Sequence, residues 1–266
     1  MVRVRVVQHS GLRRRALWRR VLWGGGEVLV TVGLVLLLLV VHQVWWTNRE
    51  AREGAGREVR ALERAWDGAG GDSRTAEPAT TAASDSASGP ASDSASDAPP
   101  ASSGSRRQSA TAPSPDWSQA YAILTIPRLH LRVPVAEGVS RSGVLNKGYV
   151  GHYPGTQQPG QAGNFALAGH RNTHGEPFRY INRLKPEDTV RVETRSATYT
   201  YAVDQTLPQT AAHDGSVLRP IPRSTVRPAH GYTEPGYYLT LTTCTPEYTS
   251  KYRLVVWGRL VSMRPR

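Results

Sequence analysis

Tyr237-Tyr-Leu-Thr-Leu-Thr-Thr-Cys244 alternates with a period of two, so an extended chain puts Leu239 and Leu241 on one face and Thr240, Thr242 and Cys244 on the other. The only cysteine therefore lies on the polar face of a strand. Two further stretches carry the same period. Asn164-Phe-Ala-Leu-Ala-Gly-His170 sets Phe165 and Leu167 against Ala166, Ala168 and His170, and Tyr252-Arg-Leu-Val-Val-Trp-Gly-Arg259 sets Leu254 and Val256 against Arg253, Val255 and Trp257. In the last of these both faces are partly apolar. Four more short β-rich segments, at 122–126, 131–135, 189–193 and 198–203, are separated by Gly and Pro. Regularly spaced short strands with turn signals between them predict an all-β domain over residues 117–266, a closed barrel or a sandwich with short helices and loops.

Outward from that domain the composition changes twice. Residues 68–116 are almost entirely Ala, Ser, Asp, Thr, Pro and Gly, and Ala83-Ser-Asp-Ser-Ala-Ser88 recurs at 91–96. Such a composition builds no core and predicts a disordered spacer. As a flexible coil it would span on the order of 35 to 40 Å and hold the domain off a membrane while tethering it. Before it, residues 47–67 are charged, with Val59, Leu62 and Trp66 at helical spacing, and predict a juxtamembrane helix.

From Val28 to Val41 only Thr31 and Gly33 interrupt Val and Leu. With its flanks the run covers residues 21–46, long enough to cross a hydrocarbon core of roughly 20 helical residues. Trp18, Trp23, Trp45 and Trp46 bracket it, as amphipathic rings do at the two membrane–water interfaces. Seven Arg and no acidic residue occupy positions 1–20, whereas residues 47–67 hold five Arg and five acidic residues. The positive-inside rule then makes 1–20 a cytoplasmic tail and puts everything after Trp46 outside the cell. A cleaved signal peptide is the competing reading; the run exceeds an ordinary h-region and no small-x-small site follows Trp46, which favours an uncleaved anchor.

The formal charge of +12 divides into 7 basic and 1 acidic residues over 1–46, 8 and 11 over 47–116, and 18 and 9 over 117–266. A basic excess split between two separate regions, in a domain that faces outward and has no helical basic face, argues against nucleic-acid binding. One Cys excludes an intramolecular disulfide framework and a multi-Cys metal site. His174 follows His170 by four residues, but Gly175 and Pro177 argue against the continuous helix that an HxxxH metal pair needs. No cofactor or metal is expected.

A lone Cys is by default an inert packing residue. Here strand parity turns it away from the large apolar side chains, and an exported protein that keeps an unpaired thiol exposes it to oxidation unless the thiol has a use. A thiol with a free pKa near 8.5 needs a base or a cation to react at neutral pH. Among eight His, only His170 ends a strand on its polar face, and Arg253 opens the strand that follows the Cys loop.

Thr240-Leu-Thr-Thr-Cys-Thr-Pro246 followed by Arg253-Leu-Val-Val resembles the active-site strand and loop of sortases, and Asn164–Arg171 resembles the sortase segment that carries the catalytic His. Gly151-His-Tyr-Pro-Gly-Thr156 and Trp45-Trp-Thr-Asn48 are similar to segments of class E sortases of high-GC Gram-positive bacteria, though Thr245 stands where that class commonly has His. The resemblance implies a closed sortase-type β-barrel and transpeptidation. Cys244 would be the nucleophile, His170 the acid for the leaving amine and then the base for the incoming one, and Arg253 the donor to substrate and oxyanion. Thr243 would help align the substrate. The substrate would be a Leu-Pro-x-Thr-Gly- or Leu-Ala-x-Thr-Gly-like sorting signal of an exported protein, and the acceptor the amine of a lipid-linked peptidoglycan precursor. A thiol peptidase that passes the acyl group to water, or a wall-binding module without catalysis, are the alternatives.

Overall fold

A computed structural model describes residues 10–71 and 119–266. The stretch expected to be a spacer lies almost wholly outside the described residues. Eight strands follow in order: β1 (Ala120–Ile126), β2 (Leu131–Glu137), β3 (Val150–His152), β4 (Gly163–Ala168), β5 (Thr189–Thr194), β6 (Ala197–Ala211), β7 (Tyr237–Thr245) and β8 (Tyr252–Pro265). They close into a barrel in the order β1-β2-β3-β4-β7-β8-β6-β5, with β5 paired back to β1. Of the two architectures left open by alternation, the structure is the barrel.

The alternation explains where the core sits. Phe165, Leu167, Leu239, Leu241, Leu254 and Val256 all enter one interior cluster with Ile126, Val135 and Val192. Leu239 and Leu241 are fully buried there, and each such side chain contributes about 1.5–3 kcal/mol by leaving water. The two-sided apolar character of β8 has its own cause. Val255 and Trp257 face outward into a second cluster with Leu207, Val217, Tyr232 and Tyr238, beneath the long connection from β6 to β7. Asp214 anchors that connection by accepting hydroxyl hydrogen bonds from Thr210 (2.6 Å), Ser216 and Ser224.

Two elements differ from expectation. β3 has three residues, too few to show a period. β6 runs eight residues past the expected end at Val203, and its register against β8 slips between Leu207 and Thr210. Pro208 lies in that slip, where a missing N–H breaks no ladder bond.

A single helix, α1 (Ser10–Gly71), joins the expected anchor and the expected juxtamembrane helix. It is long and apolar enough to cross a membrane, and every residue from Gly25 to Trp46 is exposed to its surroundings. Beyond Asn48 the helix has a partner, because Ala51, Ala55 and Val59 recur every four residues as one buried face. Ala55 packs with Ala120, Ala136, Val144 and Tyr149, joined by Leu62. Gly148 makes the approach possible: its φ is +80°, and a Cβ there would lie 2.8 Å from the Ala51 carbonyl oxygen. The barrel thus sits directly on α1 and is not held away from the anchor helix as the composition of residues 68–116 predicts.

Candidate active site

β4 and β7 run parallel, with Ala168 opposite Thr242. Two residues further, His170 and Cys244 leave the barrel at the same end of adjacent strands. The pairing is carried past β4 by two bonds: the Gly169 N–H donates to the Thr242 carbonyl (3.2 Å), and the Thr243 hydroxyl donates to the Gly169 carbonyl (2.8 Å). β8 returns antiparallel with Arg253 directly opposite Cys244. The topology thus gathers three of the sequence-predicted residues at one edge.

Side chains sort them further. Cys244 is half-buried and lines a pocket of about 710 Å³ together with His170, Arg171, Asn146, His174 and Val44 of α1. Arg253 is not among the residues that line it. Its Nη1 donates to the carbonyls of Ser250 (2.9 Å) and Tyr252 (3.0 Å), back along its own loop. Thr243 is buried with its hydroxyl committed to Gly169, so it fastens β7 to the segment that carries His170.

Asn146 Oδ1 lies 2.9 Å from His170 Nε2 and accepts its hydrogen. That bond leaves Nδ1 as the nitrogen with a lone pair. The ring also stacks on His174, with centroids 5.3 Å apart. Burial, then the neighbouring His174 and Arg141, push the His170 pKa from 6.5 down to about 4, so the imidazole is neutral at neutral pH. His174 is also shifted down, by burial.

Arg171 contributes the cation nearest the Cys backbone. It is buried, and its Nη1 donates to the Cys244 carbonyl (3.2 Å) and to the Thr245 hydroxyl (2.8 Å). Its Nη2 stands 3.6 Å from Glu247 Oε1. Neither Arg171 nor Asn146 was assigned a role from sequence. Arg171 has opposite strand parity to His170, and Asn146 reaches His170 across 24 residues from a one-turn 3₁₀ segment, which leaves no periodic trace. Among the described residues, no three of His, Cys, Asp and Glu gather as metal ligands.

A thiol, a neutral imidazole with one nitrogen tied back, and a buried guanidinium on the thiol's own backbone are groups from which a cysteine acyl-transfer site can be built. Residues 124–261 match the family model for the sortase domain. The chain belongs to the sortase family. It is 40% identical to Sortase SrtE1 of Streptomyces coelicolor over 246 residues, which cover 91% of this chain and 57% of that protein. To Sortase SrtE2 of the same organism it is 32% identical over 243 residues, covering 89% and 80%. The sortase thus spans little more than half the length of the first of these relatives. A crystal structure of Sortase E1 from Streptomyces coelicolor, with a tripeptide in the active site, superposes with a TM-score of 0.53 at 52% identity, covering 56% of this sortase and 92% of that chain. The SrtF sortase from Corynebacterium diphtheriae superposes with a TM-score of 0.51 at 26% identity, covering 58% and 91%. The class E-like character read from the motifs is supported by these matches. Thr245, where the class commonly has His, is the acceptor for Arg171 in this sortase.

Proposed function

We propose that this protein is a membrane-anchored cysteine transpeptidase that cleaves a Leu-Pro-x-Thr-Gly- or Leu-Ala-x-Thr-Gly-like sorting signal and joins the acyl group to the amine of a cell-wall precursor. The observation that carries the reading is the shared pocket of Cys244 and His170 at matched ends of parallel β4 and β7. The tripeptide in the active site of Sortase E1 supports a peptide substrate. The Arg-rich stretch before the apolar run supports a cytoplasmic N-terminus, with the barrel outside the cell. The residues between Gly71 and Ala120 connect the helix to the barrel.

The neutral state of His170 sets the order of proton transfers. Its Nδ1 accepts the Cys244 thiol proton as sulfur attacks the scissile carbonyl carbon, and the tetrahedral intermediate collapses as the same proton passes to the departing amine. The thioester is then attacked by the acceptor amine, which gives its proton to His170. Breakdown of the second intermediate forms the new amide and returns the proton to Cys244. Arg253 lies opposite the Cys in register and serves as the oxyanion donor once substrate draws its guanidinium off the loop carbonyls. Thr243 acts by positioning the strand beneath.

The test is to incubate the full chain in detergent with peptides of both motifs, with and without an added amine. The expected result is a thioacyl adduct on Cys244 by mass spectrometry and an amide product that needs the amine. Cys244→Ala should give neither at unchanged melting temperature. Cleavage that ignores the amine would replace transpeptidation by hydrolysis, and turnover by Cys244→Ala would end the cysteine mechanism.

A further inference from the structure

The helix that anchors the chain also reaches the loops of the active site. Asn48, at the end of the Trp45-Trp-Thr-Asn48 motif, uses its side-chain amide twice: Oδ1 accepts from the Gly175 N–H (3.2 Å) and Nδ2 donates to Glu176 Oε1 (3.0 Å). One turn on, Arg52 donates from Nε to the Gly175 carbonyl (3.1 Å) and from Nη2 to Glu176 Oε2 (3.1 Å). Both backbone polar groups of Gly175 therefore find their partners on α1.

The segment so held is backbone-strained. His174, Gly175 and Glu176 have φ of +52°, +83° and +53°, a conformation that non-glycine residues keep only where their surroundings impose it. It is the same segment whose residues His170, Arg171 and His174 line the Cys244 pocket. Glu176 passes the hold onward. Its Oε1 takes Arg179 Nη1 (2.8 Å), and Arg179 Nη2 donates to the Tyr248 hydroxyl (3.2 Å) and stands 3.8 Å from Glu247. Glu247 and Tyr248 belong to the loop after Cys244. One carboxylate thus ties α1 to the loops on both sides of the thiol, and Val44 of the same helix lines the pocket itself.

We propose that Asn48 and Arg52 are positioning residues of the active site: the anchor helix, acting through Gly175 and Glu176, holds the His170–His174 loop in its working conformation, at the level of the membrane surface. The level follows from Trp45 and Trp46, exposed on α1 one turn before Asn48, where aromatic rings sit at the lipid–water boundary. The Arg52 end of the Arg52–Glu176 pair is exposed, and the largely buried Glu176 keeps Arg179 when Arg52 is removed, so the pair adds little stability. The value of the contact lies in geometry, and its loss should appear in catalysis before it appears in melting. The catalytic part of this inference rests on the proposed transpeptidase reading; the hold on the loop does not.

The experiment uses the full chain in lipid nanodiscs. Hydrogen–deuterium exchange over residues 170–180 should speed up in Asn48→Ala and in Asn48→Ala with Arg52→Ala, while strands β1 and β5 exchange as in the wild type. In the same samples kcat for sorting-signal cleavage should fall about ten-fold with KM and melting temperature little changed, since small misplacements of reacting groups cost rate. Asn48→Asp supplies the control. It keeps the acceptor for Gly175 but turns a carboxylate towards Glu176, so it should harm exchange protection and kcat more in the wild-type background than in Glu176→Gln, where an amide faces it. Unchanged exchange over 170–180 in the Asn48 and Arg52 variants overturns the hold on the loop. Faster exchange with unchanged kcat overturns the positioning role. A wild-type chain that cleaves no sorting peptide counts against the function, while the exchange measurement still decides whether α1 holds the loop.

Discussion

Cys244 and Arg253 are register partners across β7 and β8, yet the Arg253 guanidinium points its hydrogen bonds at the carbonyls of Ser250 and Tyr252 and not into the pocket that holds the thiol. Those bonds lie on the half-exposed rim, where exchange with water makes them inexpensive to break. A substrate oxyanion beside Cys244 would offer the guanidinium a charged acceptor in their place. Arg253→Lys then tests fork geometry against charge, because an ammonium makes no planar two-point contact. Single-turnover acylation of Cys244 by a sorting-signal peptide should drop about 10²- to 10³-fold in Arg253→Lys, as in Arg253→Ala. A folded Lys variant acylating within a few-fold of wild type would leave Arg253 a loop residue.

Arg171 differs from Arg253 in burial, and its replacement should be felt in the fold. Arg171→Met removes the donor to the part-buried Cys244 carbonyl and the buried Thr245 hydroxyl and leaves both short of a partner. A loss of about 1–3 kcal/mol in chemical denaturation is expected, together with slower acylation. Unchanged denaturation would show that water replaces the guanidinium there.

How far this site was legible in the sequence follows from the range of each contact. Leu239, Leu241, Phe165 and Leu167 announce their faces by a period of two, and that period alone carried Cys244 and His170 to the polar side of two strands. Their meeting needed the parallel pairing of β4 with β7, a relationship across more than 70 residues that no local pattern encodes. Asn146 and Arg171 were silent for the same reason. The docked face of α1 was legible only in part: Val59 and Leu62 stand at helical spacing, but Ala51 and Ala55 are too small and too weakly apolar to stand out in a charged helix, although the smallness of Ala51 is what admits the Gly148 backbone. The extension of β6 past Val203 has no periodic signal, because its register against β8 shifts between Val203 and Gln205 and again between Leu207 and Thr210.

Asp214 offers a stability test remote from the chemistry. Burial alone would raise its pKa, but hydroxyl donation from Ser216, Ser224 and Thr210 outweighs it and holds the carboxyl below its ordinary value. Stability from this group is present above the usual carboxylate range and is lost as pH falls through the lowered pKa. Asp214→Asn turns an amide N–H₂ towards donors and should cost about 1–3 kcal/mol. The change should appear as a lower melting temperature at pH 7 with kcat retained at 25 °C. A variant that melts like wild type would mean that the hydroxyls re-pair among themselves.

The last prediction concerns His170 and pH. Its pKa lies at about 4, below the ordinary 6.5, because burial, His174 and Arg141 all disfavour the imidazolium. Since kcat/KM reports the free enzyme, its acid limb should fall near pH 4 and not near 6.5. Stability moves with it. Between about 6.5 and 4 the unfolded chain binds a proton that the folded chain refuses, so stability declines as pH drops through that window and is unaffected by this group above it. His170→Gln removes the titration, so melting temperature should depend less on pH between 4 and 6.5 in the variant than in the wild type, while acylation falls about 10²-fold or more. Arg141→Ala with His174→Ala should raise the acid limb by removing both neighbouring charges. If the wild-type limb lay at 6.5 and the double variant left it there, His170 would be solvated in the free enzyme, and the proton would reach the leaving amine by another route.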